Sequence, residues 1–188
     1  MSKDRVAIVG VGNVGATTAY ALLLSGLAPD IVLINRDRNK AEGEAEDISH
    51  AEPWSHTTLV RAGGFEDCAA AKVMVITVGA GLKPGETRLD LLKKNAAIFR
   101  DLIPKIVSTN PQGILLIATN PVDALTHYAQ KLSGFEPHRV VGSGTILDTA
   151  RLRVLLGGYM ALTRRACTPT SSASTGTRRF RHGPQGFP

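Results

Sequence analysis

The sequence predicts an α/β fold built on a doubly wound parallel sheet. Short, wholly apolar segments alternate with longer polar or amphipathic ones, and the first apolar segment runs directly into a cluster of three glycines. Apolar runs bounded by turn residues are typical of parallel strands that helices cover on both faces.

The first strand, Val6–Val9, leads into glycines in the pattern G-x-G-x-x-G, and a helical segment rich in Ala and Leu follows. This order of strand, turn and helix predicts a dinucleotide-binding site and disfavours a chance cluster of glycines. Gly10 allows the tight turn, Gly12 lets the backbone approach a pyrophosphate, and Gly15 lets helix and strand pack closely. Unpaired N–H groups at the start of the helix then bind the phosphates. The predicted contacts are Gly10, Gly12, Asn13, Val14 and Gly15.

The remaining elements follow the same alternation. Strands are predicted at 31–34, 58–62, 72–78, 114–118 and 139–141, and helices at 38–50, 87–110, 122–132 and 145–156. Pro104 is expected to kink or divide the longest helix. We expect a dinucleotide-binding domain at 1–144, the first helix of a substrate domain at 145–160, and a disordered tail at 161–188, with the rest of the substrate domain missing.

Ligands of open parallel sheets bind beyond the carboxyl ends of the strands. Four segments follow predicted strand ends and are therefore expected to meet at one edge. They are Gly10–Gly15, Asn35–Asp37, Gly79–Arg88 and Thr119–Asp123.

The end of the second strand bears on the choice of cofactor. An acidic residue about 20 positions after the glycines usually binds the adenosine ribose of NAD, but Asn35 stands here and Arg36 follows it. Asn35 can still bond a ribose hydroxyl, whereas Arg36 could meet a 2′-phosphate or simply lie in a solvated turn. We expect NAD, with tolerance of NADP.

Composition excludes several other classes of function. The net charge of +6 arises after Met160, where five arginines and no acidic residue occur; the rest of the chain holds 17 basic and 16 acidic residues. A nucleic-acid partner is therefore not expected. The sequence shows no membrane-length apolar run and no signal peptide, and Cys68 and Cys167 form no disulfide framework or metal site. We expect a cytoplasmic protein without a metal.

Four blocks of sequence, each at a predicted strand end or just after one, resemble the lactate/malate dehydrogenase family, and most of all its bacterial L-lactate dehydrogenases. They are N-R-D-R-N-K-A-E-G-E-A-E-D from Asn35, G-A-G-L-K-P-G-E-T-R-L-D-L from Gly79, T-N-P-V-D from Thr119 and G-S-G-T-I-L-D-T-A-R-L-R from Gly142. The resemblance runs from Arg5 to Met160. It implies a Rossmann-type NAD-binding domain, hydride transfer between NAD and lactate or pyruvate in carbohydrate metabolism, and a homo-oligomer, although the last is doubtful for this truncated chain.

The resemblance also implies site residues. Arg151 matches the anchor of the substrate carboxylate, and Arg88, on a loop that closes over the substrate, matches the residue that polarises its carbonyl. Asn120 matches a hydrogen-bonding residue near the substrate oxygen and the nicotinamide, while Asp148 matches the carboxylate that orients the catalytic histidine. Asp148 and Arg151 are three residues apart and so share a helix face. The further cofactor contacts implied are Gly79, Ala80 and Asn120.

Leu82 departs from the family pattern. Lactate enzymes usually carry Gln at this position and malate enzymes Arg. An apolar residue disfavours a second carboxylate on the substrate, so we expect pyruvate or a bulkier 2-oxo acid, unless Leu82 simply points outward on its loop.

The family's proton-transfer histidine, in a G-E-H-G-D-S motif, is not found in this sequence. Histidines occur at positions 50, 56, 127, 138 and 182, in none of which the motif surrounds them. In a reading frame shifted by one base, however, permitted codons for Ala173–Arg178 spell G-E-H-G-D-S, and those for Arg179–Gly183 spell E-V-P-A-W. We therefore expect residues 161–188 to be an out-of-frame translation and the chain to be inactive. The alternatives are a dehydrogenase of unusual form and a non-enzymatic nucleotide-binding remnant.

Overall fold

A computed structural model of the chain describes residues 4–55 and 57–159. The chain divides into two compact units, residues 1–144 and residues 145–188. The disorder and the shifted reading frame expected for residues 161–188 lie outside the described residues. Within the described ranges, no helix is both long enough and apolar enough to cross a membrane.

The first unit is built on a six-stranded sheet in which every neighbouring pair of strands is parallel. Its order is β3-β2-β1-β4-β5-β6, so the chain winds outward from β1 in one direction and then from β4 in the other. The predicted doubly wound α/β fold is confirmed. The strands are β1 (Arg5–Val9), β2 (Asp30–Ile34), β3 (Leu59–Gly63), β4 (Ala71–Ile76), β5 (Ile114–Ile117) and β6 (Val140–Gly142).

Helices connect the strands of this sheet. The first unit contains α1 (Asn13–Ser25), α2 (Arg38–Ser49), α3 (Arg88–Thr109) and α4 (Val122–Ser133), and the second contains α5 (Ile146–Tyr159). Three short 3-10 helices that the sequence did not predict lie at Glu52–Trp54, Phe65–Ala70 and Pro137–Arg139.

The core consists of two apolar clusters. On β2, Val32 and Ile34 belong to the cluster that contains the buried residues of α3 and α4, whereas Ile31 and Leu33 belong to the cluster that contains those of α1 and α2. Because successive side chains of a strand point to opposite faces, the sheet is covered on both sides. This explains why the strands read as wholly apolar runs.

Two predicted features need correction. Pro104 does not divide α3, which continues through it to Thr109, while the alternative, a kink at Pro104, stays a prediction. Pro104 lies on the exposed side of the helix, so the Arg100 carbonyl that loses its partner there can be hydrated. Strand β4 ends at Ile76 rather than at residue 78, because after Thr77 donates its N–H to the Val9 carbonyl at 2.9 Å the chain leaves the ladder.

The first unit contains an ion-pair network that lies away from the carboxyl ends of the strands. Arg5 Nε lies 2.7 Å from Asp30 Oδ2, and Arg61 Nη2 lies 2.6 Å from Asp67 Oδ1. The Arg61 hydrogen bond and the Gly64 N–H hold the pKa of Asp67 below its usual value, against the opposing effect of burial. The network ties β1, β2 and β3 to the segment before β4.

Candidate functional site

The carboxyl edge, formed by the carboxyl ends of the strands, brings predicted site segments together. The Gly10 N–H donates to the Ile34 carbonyl at 2.8 Å, which joins the end of β1 to the end of β2. The Thr77 hydroxyl donates to the Gly10 carbonyl at 2.6 Å, and the Thr119 hydroxyl donates to the Val78 carbonyl at 2.7 Å. These hydrogen bonds therefore link the carboxyl ends of four neighbouring strands, in the order β2, β1, β4 and β5, along one edge of the sheet.

The glycine turn, Gly10–Gly15, is shaped by two close approaches. Gly10 has φ +103°, and a Cβ there would lie 2.6 Å from the backbone nitrogen of Val78. A Cβ on Gly15 would lie 1.9 Å from the Gly10 carbonyl oxygen. These positions require glycine because the turn folds back against β4 on one side and against α1 on the other.

Gly12 differs from both, since a Cβ built on it meets no heavy atom within 4 Å. Gly12 is the N-cap of α1, no side chain caps this end, and the first turn of the helix holds no acidic residue. Helix N-termini present unpaired N–H groups and a partial positive charge. Open space in front of such an end, without a competing carboxylate, fits a bound phosphate group.

Asn35 lies half-buried at the end of β2, next to the exposed Arg36. Its side-chain nitrogen donates to the Asp37 carbonyl at 3.1 Å. Asp37 in turn caps α2 by accepting from the Lys40 N–H at 3.4 Å. The turn thus holds Asn35 through its amide nitrogen.

Arg88 is exposed and is the first residue of α3. Thr87 and Asp90 form a capping box around it, with the Thr87 N–H donating to Asp90 Oδ2 at 3.0 Å and the Asp90 N–H to the Thr87 hydroxyl at 3.2 Å. A capping box fixes where a helix begins, so it also fixes the backbone that carries Arg88.

The last part of the loop before Arg88 is held against α3. Lys94 pairs with Glu86, and the Glu86 carboxylate also accepts from the Lys83 N–H at 3.1 Å. The hydrogen bond from Lys94, followed by that from the Lys83 N–H, holds the pKa of Glu86 below its usual value. Leu82, just before this anchored part, is 53% exposed.

Two polar side chains with backbone partners at this edge had no role predicted from the sequence: Asn95 was not singled out, and Thr119 was only part of a predicted segment. Asn95 is buried, and its amide bonds the Ala80 N–H and the Asn120 carbonyl. Thr119 is buried and bonds β4 as described above. Asn95 had a detectable signal, since it lies on the helix face that also carries Phe99, Leu102, Ile103 and Ile106. A polar residue in such a stripe indicates a specific partner.

Asp148 and Arg151 belong to the second unit, where both lie on α5. Arg151 Nη1 donates to Asp148 Oδ1 at 3.3 Å, and both side chains are exposed. The two residues thus share one face of the helix. Their roles toward a substrate stay predictions.

The part of the chain that the structure describes offers no metal site and no reactive cysteine. No group of three or more His, Cys, Asp or Glu residues there could hold a metal ion. Burial raises the pKa of the Cys68 thiol to about 11, so this cysteine stays protonated at neutral pH and is a poor nucleophile.

Comparison with known proteins adds to this geometry. Residues 4–142 match the family model described as the lactate/malate dehydrogenase NAD-binding domain. The chain is 53% identical over 156 residues to the L-lactate dehydrogenase of Thermus aquaticus, covering 83% of this chain and 50% of that protein. It is 54% identical over 158 residues to a probable L-lactate dehydrogenase of Schizosaccharomyces pombe, covering 84% and 48% respectively.

Solved structures give the same result. The minor L-lactate dehydrogenase of Enterococcus mundtii, in a ligand-bound form, matches with a TM-score of 0.85 and 40% identity over 88% of this chain and 53% of the other. A lactate dehydrogenase from a deep-sea metagenome of the Medee basin matches with a TM-score of 0.83 and 44% identity, at the same coverage. The chain thus spans about half the length of the relatives that it matches.

Proposed function

The chain belongs to the lactate/malate dehydrogenase family, and from this premise we propose that it forms the NAD(H)-binding half of an L-lactate dehydrogenase. The observation that carries the proposal is the open space at Gly12, in front of the uncapped start of α1. A dinucleotide pyrophosphate fits there because backbone N–H groups and the helix dipole both favour an anion.

The other cofactor contacts follow from the order of the strands. Asn35 directly follows β2 and lies beside the glycine turn. Its side-chain oxygen accepts a hydrogen bond from the adenosine ribose. Gly79, Ala80 and Asn120, on the opposite side of the turn, receive the nicotinamide half. When bound, NAD supplies a hydride acceptor for oxidation of a 2-hydroxy acid.

The substrate roles are proposed for an enzyme that combines these residues with the family's catalytic histidine. Arg151 pairs with the substrate carboxylate, for which a planar guanidinium offers two parallel hydrogen bonds. Arg88 polarises the reacting oxygen, and Asn120 donates a hydrogen bond near it. Asp148 orients the histidine that exchanges a proton with that oxygen.

The polypeptide of these 188 residues is proposed to lack lactate turnover, because the family's G-E-H-G-D-S motif does not occur in it. General acid–base catalysis alone contributes about 10²–10⁴-fold to rate. We propose that residues 161–188 are the same gene segment translated out of frame. Resequencing the gene from independent isolates is expected to show that a single base has been lost just after the codon of Met160. An intact frame whose codons cannot spell the motif would disprove this.

Binding without turnover is the expected behaviour of the purified 188-residue chain. Titration of NADH, followed by its fluorescence, should saturate at one site per chain. Lactate-dependent formation of NADH should stay at the level of a blank without protein. Failure to bind NADH or NADPH would contradict the proposed function, and turnover above the blank would contradict the proposed inactivity.

A dehydrogenase for a larger substrate is the second candidate, favoured by the apolar side chain of Leu82 on the loop before Arg88. The turnover assay therefore includes 2-hydroxy acids with longer apolar side chains. Turnover of one of these acids alone would support this candidate. Binding without any turnover instead supports a nucleotide-binding remnant.

A further inference from the structure

We propose that Asn95 is a positioning residue for the nicotinamide half of the cofactor, because its buried amide joins the backbone segments that follow β4 and β5. The inference rests on the proposed binding of NAD(H). Asn95 itself touches neither substrate nor cofactor in this proposal. It acts through the backbone of Ala80 and Asn120.

The geometry is that of a double hydrogen bond. Asn95 Oδ1 accepts from the Ala80 N–H at 2.7 Å, and Asn95 Nδ2 donates to the Asn120 carbonyl oxygen at 2.7 Å. The side chain is 1% exposed, so water does not compete for these bonds. Ala80 lies after β4 and Asn120 after β5, so a single side chain of α3 sets the spacing between two strand ends.

Only an amide satisfies both partners. A carboxylate of the same shape would keep the bond to the Ala80 N–H but would face the Asn120 carbonyl oxygen without a proton to share. Leucine has nearly the same shape and would continue the apolar stripe of Phe99, Ile103 and Ile106, yet it would leave both backbone groups without this partner. The apolar core could therefore accept leucine at position 95, whereas the Ala80 N–H and the Asn120 carbonyl need the amide as a partner.

The packing around this amide leaves little freedom. A Cβ on Gly79 would lie 3.3 and 3.4 Å from the two polar atoms of the Asn95 amide, and 2.6 Å from a methyl carbon of Thr119. The backbone after β4 thus passes directly over Asn95. A shift of this amide would move Gly79 and Ala80 with it.

The sheet order shows which half of a dinucleotide is affected. The glycine turn follows β1, with Asn35 after β2 on one side and the Asn95-linked segments after β4 and β5 on the other. A pyrophosphate at the turn therefore has its adenosine on the β2 side and its nicotinamide on the β4–β5 side. ADP consists of only the adenosine half and two phosphates. A substitution of Asn95 should therefore change the affinity for NADH and leave the affinity for ADP unchanged.

Asn110 provides a matched control at the other end of α3. It is also a buried asparagine, and its side-chain nitrogen donates to the backbone carbonyls of Cys68 and Ala71 at 2.7 Å each. Cys68 and Ala71 lie at the amino end of β4, and the Asn110 side-chain oxygen accepts from the N–H groups of Gln112 and Gly113 just before β5, so all of its partners lie away from the carboxyl edge. Both Asn95→Leu and Asn110→Leu are expected to lower the thermal unfolding midpoint, but only the first should alter cofactor binding.

The experiment is titration of NADH and ADP into the unmodified 188-residue chain and both variants. Asn95→Leu should weaken NADH binding about tenfold, the effect of losing roughly one net hydrogen bond, and change ADP binding less than twofold. Asn110→Leu should change neither affinity. Equal weakening of both ligands by Asn95→Leu, or weakening of neither, would overturn the inference.

Amide hydrogen exchange separates this inference from the proposed function. Without any nucleotide, exchange of the Ala80 N–H should be at least about tenfold faster in Asn95→Leu than in the unmodified chain, and unchanged in Asn110→Leu. If the unmodified chain binds no nucleotide, the proposed function fails. Equal exchange of the Ala80 N–H in all three proteins would overturn the positioning role by itself.

Discussion

Gly15→Ala is expected to cost the first unit at least about 3 kcal/mol of unfolding free energy, the upper range for an overpacked core. The added methyl carbon would lie 1.9 Å from the Gly10 carbonyl oxygen and 2.9 Å from the Thr77 hydroxyl. Backbone must move to relieve the first contact, because no flexible side chain is involved. Domains are stable by only about 5–15 kcal/mol in total, so a loss of this size removes a large fraction of the stability while leaving a folded population to denature. Urea denaturation followed by circular dichroism measures the loss.

Gly12→Ala is the matched control in the same turn. Here the methyl carbon meets nothing within 4 Å, and the backbone is extended, with φ −93° and ψ −172°. The unfolding free energy should therefore change by less than about 1 kcal/mol. The methyl group occupies the space proposed for the pyrophosphate, so NADH affinity should still fall at least tenfold. A folded Gly15→Ala protein of unchanged stability would contradict the packing argument, and full NADH binding by Gly12→Ala would contradict the placement of the phosphates.

This pair of glycines shows why part of the site was predictable from the sequence. The turn is local, since its strand, glycines and helix start lie within the first 25 residues. The pattern therefore records both the fold class and the position of the turn. Apolar periodicity alone did not give the order of the strands, because it identifies a buried strand but does not identify its neighbour.

The contacts that hold the carboxyl edge together depend, like the strand order, on segments that are far apart in the sequence. Thr77 bonds Gly10 across 67 positions of sequence, and Thr119 bonds Val78 across 41. In the sequence, each is an ordinary polar residue after an apolar run. Their value depends on β1, β4 and β5 being neighbours, which only the assembled sheet reveals. The same holds for Pro104, which is tolerated because the folded domain leaves it on the solvent side of α3.

Asn35→Asp is expected to shift the preference of the chain toward NADH over NADPH by at least about tenfold. A carboxylate at the end of β2 accepts hydrogen bonds from the ribose hydroxyls of NADH. It also repels the 2′-phosphate of NADPH, and a juxtaposition of like charges costs several kcal/mol at an interface. Arg36→Gln should act in the same direction but more weakly, because it removes an exposed positive charge that would attract a 2′-phosphate only through solvent.

The ratio of the two affinities is the decisive quantity, because Asn35→Asp also disturbs the free protein. It removes the 3.1 Å bond from the Asn35 amide to the Asp37 carbonyl and adds a negative charge close to the cap of α2. The loss of that bond loosens the turn and affects NADH and NADPH binding alike, so it cancels in the ratio. Repulsion of the 2′-phosphate by the new charge acts on NADPH alone and remains in the ratio. Titrations at one low ionic strength keep screening constant. An unchanged ratio would mean that Asn35 does not face the ribose, and the adenosine half would then have to be placed away from the end of β2.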